Sequence, residues 1–151
     1  MTPLFKKLNF KDQPVICIVN APDSFSTEIE AISKCAKVQH QLNEKVKSSF
    51  ILGFCTKQKE VDALALIANI SLEGDGLFWI AYPKGSSKKY ECDFNRDTGW
   101  AKLGSLGFEP VRQVAIDEDW SGLRFRRVQY IKKMNRSFAM TEEGKKKAGK
   151  F

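Results

Sequence analysis

VICIVNAPD, residues 15–23, is the stretch that decides the fold. Val15, Ile16, Cys17, Ile18 and Val19 are apolar in unbroken succession, the pattern of a strand covered on both faces and not of one that meets water at every second residue. Pro14 opens the run, and Asn20, Ala21, Pro22 and Asp23 close it with a cluster of turn formers. Phe25, Ile29, Ile32 and Ala36 then recur at helical spacing, and Thr27 with Glu30 has the spacing of a capping box. A doubly covered strand that leads through a short turn into an amphipathic helix predicts a sheet sandwiched between helices.

The rest of the chain extends this pattern. Residues 37–42 read as an edge strand, because His40 and the glutamines interrupt Val38 and Leu42. Residues 49–56 form a second doubly buried strand, and Val61, Leu64 and Ala68 begin a helix whose other faces are filled by Ala63, Leu66, Ile67 and Ile70. Glu73, Gly74, Asp75 and Gly76 read as a turn before residues 77–82, LFWIAY, the strongest strand signal in the chain. Pro83 ends that strand, and residues 84–96 form a polar loop. Asp97 is placed to cap a helix bearing Trp100, Leu103 and Leu106, which Gly107 stops. Residues 110–116 and 123–128 close the chain as a hairpin. The expected fold class is α/β: three layers, about six mostly parallel strands with helices on both faces, right-handed crossovers and a C-terminal antiparallel hairpin.

Charge is unevenly placed. Residues 1–123 hold 15 Lys and Arg against 16 Asp and Glu, whereas residues 124–151 hold 10 against 2, so a net −1 and +8 make up the +7 of the whole. The near-neutral body excludes a basic nucleic-acid groove on the domain, and residues 131–151 read as a flexible basic tail after a domain of residues 1–130. No run of about 18 uncharged apolar residues occurs, which leaves no membrane span, and residues 1–11 lack the apolar segment of a secretory signal. The expected location is cytoplasmic. Cys17, Cys35, Cys55 and Cys92 lie far apart with one histidine, His40, so neither a zinc site nor a redox pair is expected. Cys17 and Cys55, inside apolar runs, read as small buried hydrophobes.

Four blocks carry a family resemblance: VNAPDSF from residue 19, GLFWIAYPKGSSK from 76, NRDTGW from 95 and LGFEPVRQVAIDEDWSGLRFRR from 106. Together, over roughly residues 4–128, they resemble an uncharacterised bacterial family described as a domain of unknown function, whose members look like a trimmed class I methyltransferase, a Rossmann-like fold. The resemblance implies that the final strand slots in beside residues 77–82. It supplies no substrate. Nucleotide or adenosylmethionine sites of this kind need glycines after the first strand, so that backbone N–H groups approach the ligand. Here the turn holds Pro22, which has no N–H, and no glycine, while the second strand offers Gln39, His40 and Gln41 where an acidic residue would hold a ribose. No cofactor is therefore expected.

Ligands of open α/β sheets sit at the carboxyl ends of the parallel strands. That edge collects Asn20 and Asp23, Thr56, and Tyr82, Pro83, Lys84, Ser86 and Ser87. Lys84 and the two serines are donors suited to a small anionic ligand, with a solvated loop as the plainer alternative. Asp117, Glu118 and Asp119 suit a hairpin turn better than a metal, and Trp120 beside them suits packing under that turn. Arg124 and Arg126 share the face opposite Leu123 and Phe125, to pair with Asp117 or Asp119 or to meet an external anion. The absent glycines favour a non-catalytic or weakly ligand-binding module. The alternative is a divergent small-molecule transferase, methyltransferase-like, using the crevice at the strand ends, and a weaker third reading is nucleic-acid contact through the basic tail.

Overall fold

The structure is a computed structural model that describes residues 2–94 and 98–131. Its elements are α1 (Pro3–Lys7), β1 (Val15–Val19), α2 (Ser26–Ile32), β2 (Lys37–Gln39), β3 (Ser48–Phe54), α3 (Gln58–Ser71), β4 (Leu72–Pro83), α4 (Ala101–Ser105), β5 (Phe108–Ala115) and β6 (Trp120–Arg127). They build one six-stranded sheet in the order β2-β1-β3-β4-β6-β5. β2, β1, β3 and β4 run parallel, and β6 is antiparallel to both β4 and β5. The expected architecture is the observed one, and the last strand does lie beside the strand of residues 77–82.

Alternation along the strands divides the core in two. Ile16, Ile18, Phe50, Leu52, Leu77 and Trp79 face one side, where Phe5 and Leu8 at the N-terminus and Phe25 and Ile32 around α2 cover them. Cys17, Ile51, Phe78, Ile80 and Phe125 face the other, under Val61, Leu64, Ala65 and Ala68 of α3 and Leu103 of α4. This is why β1 and β4 read as continuous apolar runs: each residue is buried by one layer or the other. The indole of Trp79, wholly buried, donates to the Leu8 carbonyl at 3.0 Å and ties the N-terminal turn to the middle of the sheet.

Several elements differ from the sequence reading. α1 was not expected, although Thr2 caps it by accepting from the Phe5 N–H at 3.3 Å and Pro3 occupies its first turn. The Thr27 and Glu30 capping box does not form, because the chain enters α2 through a 3-10 turn, Asp23–Phe25, and starts the helix at Ser26 with no side-chain cap. Glu73, Gly74, Asp75 and Gly76 are not a turn between elements. β4 begins at Leu72, directly after α3, and Ser48 pairs with Leu72 while Phe50 pairs with Leu77, so Ser49 alone faces residues 73–76 in an irregular bulge around Gly74, whose φ is 51°. α3 is not buried all round either: Leu66 and Ile70 remain 50% and 46% exposed. The physical reason lies next to it. Residues 40–47, which run along α3, join β2 to β3 as a loop, without the crossover helix that parallel strands ordinarily carry.

The hairpin turn is closed by Asp117, whose carboxylate accepts from the N–H groups of Asp119 and Trp120 at 2.8 and 2.9 Å. Trp120 packs under it against Phe54 and Tyr90, as expected, at 2% exposure. Arg126 does not pair with Asp117 or Asp119 but with Asp75, in a two-bond fork at 2.8 and 2.6 Å. Gly107 (φ 89°) follows α4 as the expected stop, whereas the Asp97 cap and, apart from the buried Ile131, the expected tail of residues 131–151 lie outside the described residues.

Candidate functional site

A hollow of about 730 Å³ lies at the carboxyl ends of β1 and β2, walled on its far side by α3. Val19, Leu42, Leu64 and Ile67 supply apolar walls, and Asn20, Gln41, Lys59 and Glu60 bring polar groups to it. One side of it is formed by Gln41 and Leu42 of the helix-free connection of residues 40–47. That loop is pinned along α3 instead, with the Ser71 hydroxyl donating to the Asn43 carbonyl at 3.0 Å and the Lys47 ammonium to the Ile70 carbonyl at 2.6 Å.

Asn20 sits in the left-handed region at φ 57°, a conformation that asparagine tolerates better than other residues with a Cβ. The sharp turn that a glycine ordinarily makes after the first strand is thus made by Asn20. The following segment folds on itself, the Phe25 N–H donating to the Pro22 carbonyl at 2.9 Å.

The start of α3 is filled by the protein's own carboxylates. Glu60 accepts from the Thr56 and Lys57 N–H groups at 2.9 and 3.1 Å and from the Thr56 hydroxyl at 3.2 Å. Asp93 accepts from the Gln58 N–H at 2.6 Å and donates its own N–H to the Thr56 carbonyl at 3.0 Å. An incoming phosphate at this helix start would compete with two built-in anions, so the chemistry available in the hollow is that of amides, a lysine, the Glu60 carboxylate and apolar contact.

The residues expected at this edge are distributed over it. Asn20 opens on the large hollow. Asp23 is exposed at the start of the 3-10 turn, and Thr56 is engaged with Glu60. Tyr82 is buried, its ring edge-on to Trp100 and its hydroxyl accepting from the Gln113 amide at 2.9 Å. Lys84 and Ser87 line a second hollow of about 340 Å³ with Tyr90 and Cys92, and Ser86 a third of about 420 Å³ with Lys88, Lys89, Glu118 and Asp119. Ser87 donates to Asp119 at 2.9 Å, and the Lys84 N–H donates to the Asp119 carbonyl at 2.8 Å, so the loop is fastened to the hairpin turn. Asn20 and Lys84 therefore open on separate hollows. Gln41, Leu42, Glu60, Leu64 and Ile67 were missed as lining residues; the helix-free connection between β2 and β3, legible from its length, was the signal for them.

Two buried thiols, Cys17 and Cys55, hold their protons at neutral pH. Burial pushes Cys17 up to about 11, and burial, with Glu60 and Cys92 adding to it, pushes Cys55 up to about 12. Among the described residues no group of His, Cys, Asp and Glu side chains is placed to hold a metal ion, and no helix is long and apolar enough to cross a membrane.

No protein-family model matches the sequence, and no curated protein does. Solved structures do resemble it. A SAM-dependent methyltransferase from Aquifex aeolicus superposes with a TM-score of 0.57 at 12% identity, over 83% of this chain and 88% of that one. The pyocyanin biosynthetic protein PhzM superposes with a TM-score of 0.54 at 10% identity, over 82% of this chain but 52% of its own, so the chain spans about half of PhzM's length. At these identities the likeness is one of architecture: the chain has the Rossmann-like α/β fold of SAM-dependent methyltransferases.

Proposed function

We propose that the protein is a divergent small-molecule transferase of the methyltransferase type, which holds a nucleoside-bearing donor in the hollow beside Asn20. The observation that carries this reading is the position of the hollow, at the carboxyl ends of β1 and β2, where open α/β sheets take their ligands. The fold likeness to a SAM-dependent methyltransferase supports it. Leu42, Leu64 and Ile67 suit the faces of a heteroaromatic ring, and the amides of Asn20 and Gln41 suit its polar edge or the hydroxyls of a sugar. Phosphates would add nothing, because Pro22 lacks an N–H and α3 begins on Glu60 and Asp93.

Calorimetry with S-adenosylmethionine, S-adenosylhomocysteine, adenosine and ATP tests the reading. The expected result is saturable binding of the adenosyl compounds, with ATP no tighter than adenosine. Absence of binding by all four ends it. A second reading, a non-catalytic binding module on the same scaffold, draws on Pro22 and the occupied start of α3, which leave a donor's charged end without the usual backbone anchors. Binding of the adenosyl compounds without consumption of S-adenosylmethionine favours that reading.

A further inference from the structure

The outer face of α3 has no cover among the described residues. The exposed residues of this helix are Lys59, Ala63, Leu66 and Ile70. Steps of four, three and four set them in one line along the helix, the repeat by which helices pack on one another. Two further apolar side chains flank the line. Val46 stands beside Ile67, on a loop held to the helix end by the Lys47 bond to the Ile70 carbonyl. The Tyr130 hydroxyl lies within 4 Å of the space a Cβ on Gly74 would take, just past the last turn. Val46, Leu66, Ile70 and Tyr130 are the large hydrophobics left exposed among the described residues. Exposed apolar residues scattered singly are ordinary, but a gathered patch marks a contact surface.

The charges at the two ends of the line identify what fits it. Lys59 in the first turn of α3 and Glu73 just beyond its last are both exposed. Neither has an ion-pair or hydrogen-bond partner for its side chain among the described residues. Almost the whole helix separates them, about 20 Å at 1.5 Å per residue, so they cannot meet within one chain. Residues 59 and 73 are, however, equally far from Leu66 along the sequence.

We propose that α3 is a self-association surface, on which two copies of the chain pack antiparallel about a two-fold axis at Leu66. Leu66 then meets its own counterpart, and the small Ala63 leaves room for Ile70 of the second copy. Lys59 of each copy reaches Glu73 of the other, so the symmetry makes the ion pair twice. The contact rests on one helix and its flanks, less than a permanent interface takes, and the dimer is therefore weak and reversible.

Sedimentation velocity of the full chain, from low to high micromolar concentration, tests the proposal. The expected result is a monomer–dimer equilibrium that follows concentration. Leu66→Glu, at an exposed position, should retain the parent's melting temperature and lose the dimer. Lys59→Glu and Glu73→Lys should each weaken association about tenfold, since each sets like charges together twice. The variant carrying both exchanges should regain most of the parent's association, which a loss of folding in the single variants would not allow. A chain that stays monomeric at the highest concentration overturns the proposal and leaves the face to residues 132–151 or to a different protein. A dimer indifferent to Leu66→Glu, or a double exchange no tighter than the singles, overturns it as well.

Discussion

Leu64 of α3 lies directly over Gly53 of β3, so close that its methyl groups occupy the space a Cβ on residue 53 would need. The glycine lets the helix settle against the sheet, and Leu64 then forms one wall of the large hollow.

Gly53→Ala must therefore displace Leu64. The expected cost is about 1–3 kcal/mol, the usual penalty for overpacking a filled site. Urea unfolding of Gly53→Ala, Leu64→Ala and the double variant checks it, and the double variant should lose less than the sum of the two singles because the clash is removed.

Asn20 separates stability from binding. Asn20→Ala places a Cβ-bearing residue without a local hydrogen-bonding side chain at φ 57° and should cost about 1 kcal/mol, whereas Asn20→Gly should retain the stability of the parent. Both lose the amide that faces the hollow, so both should bind adenosine more weakly. Thermal melts and calorimetry on the same two samples read the two effects apart.

Glu60→Ala removes the acceptor shared by the Thr56 N–H, the Thr56 hydroxyl and the Lys57 N–H. A loss of about 1–2 kcal/mol is expected, the size of a lost helix cap. Faster amide hydrogen exchange in the first turn of α3, with little change in β1, would locate the loss.

The buried thiols predict both a reactivity and a pH profile. At pH 8 a thiol reagent should modify exposed Cys35 and leave Cys17 and Cys55 untouched until the protein is unfolded. Cys17 and Cys55 hold their protons more tightly folded than unfolded. Their contribution is whole below the ordinary value of 9.0 and is lost as pH rises toward about 11 and about 12. Urea midpoints measured across this alkaline range should fall, and Cys55→Ser, which cannot ionise there, should flatten the fall.

The sheet was legible because burial on both faces writes itself into the sequence as an unbroken apolar run, as in β1 and in residues 77–82. Trp120 was legible for a related reason: a large ring in a polar turn has to be packed, and Phe54 and Tyr90 receive it. Residues 73–76 misled because a bulge uses the same glycines as a turn, and only the pairing of Ser48 and Phe50 with β4 distinguishes them. The candidate edge was legible as a set of strand ends, but not the partners that claim its side chains. Tyr82 is taken by Gln113 and Trp100, Ser87 by Asp119 and Thr56 by Glu60, and most of these pairs join positions far apart in the chain. Asn20 was read correctly as the end of β1, yet its left-handed backbone, which replaces a glycine, has no signature beyond its being asparagine.

β6 lies between β4 and β5 in the sheet although it is made after both. On the ribosome, Phe78, Trp79 and Ile80 are thus synthesised well before the strand that covers their open side, Trp120–Arg127, has emerged. For that interval the core of the nascent domain is an unpaired, strongly apolar edge, the kind of surface on which chains aggregate. Pairing with Trp120–Arg127 is the step that removes this edge.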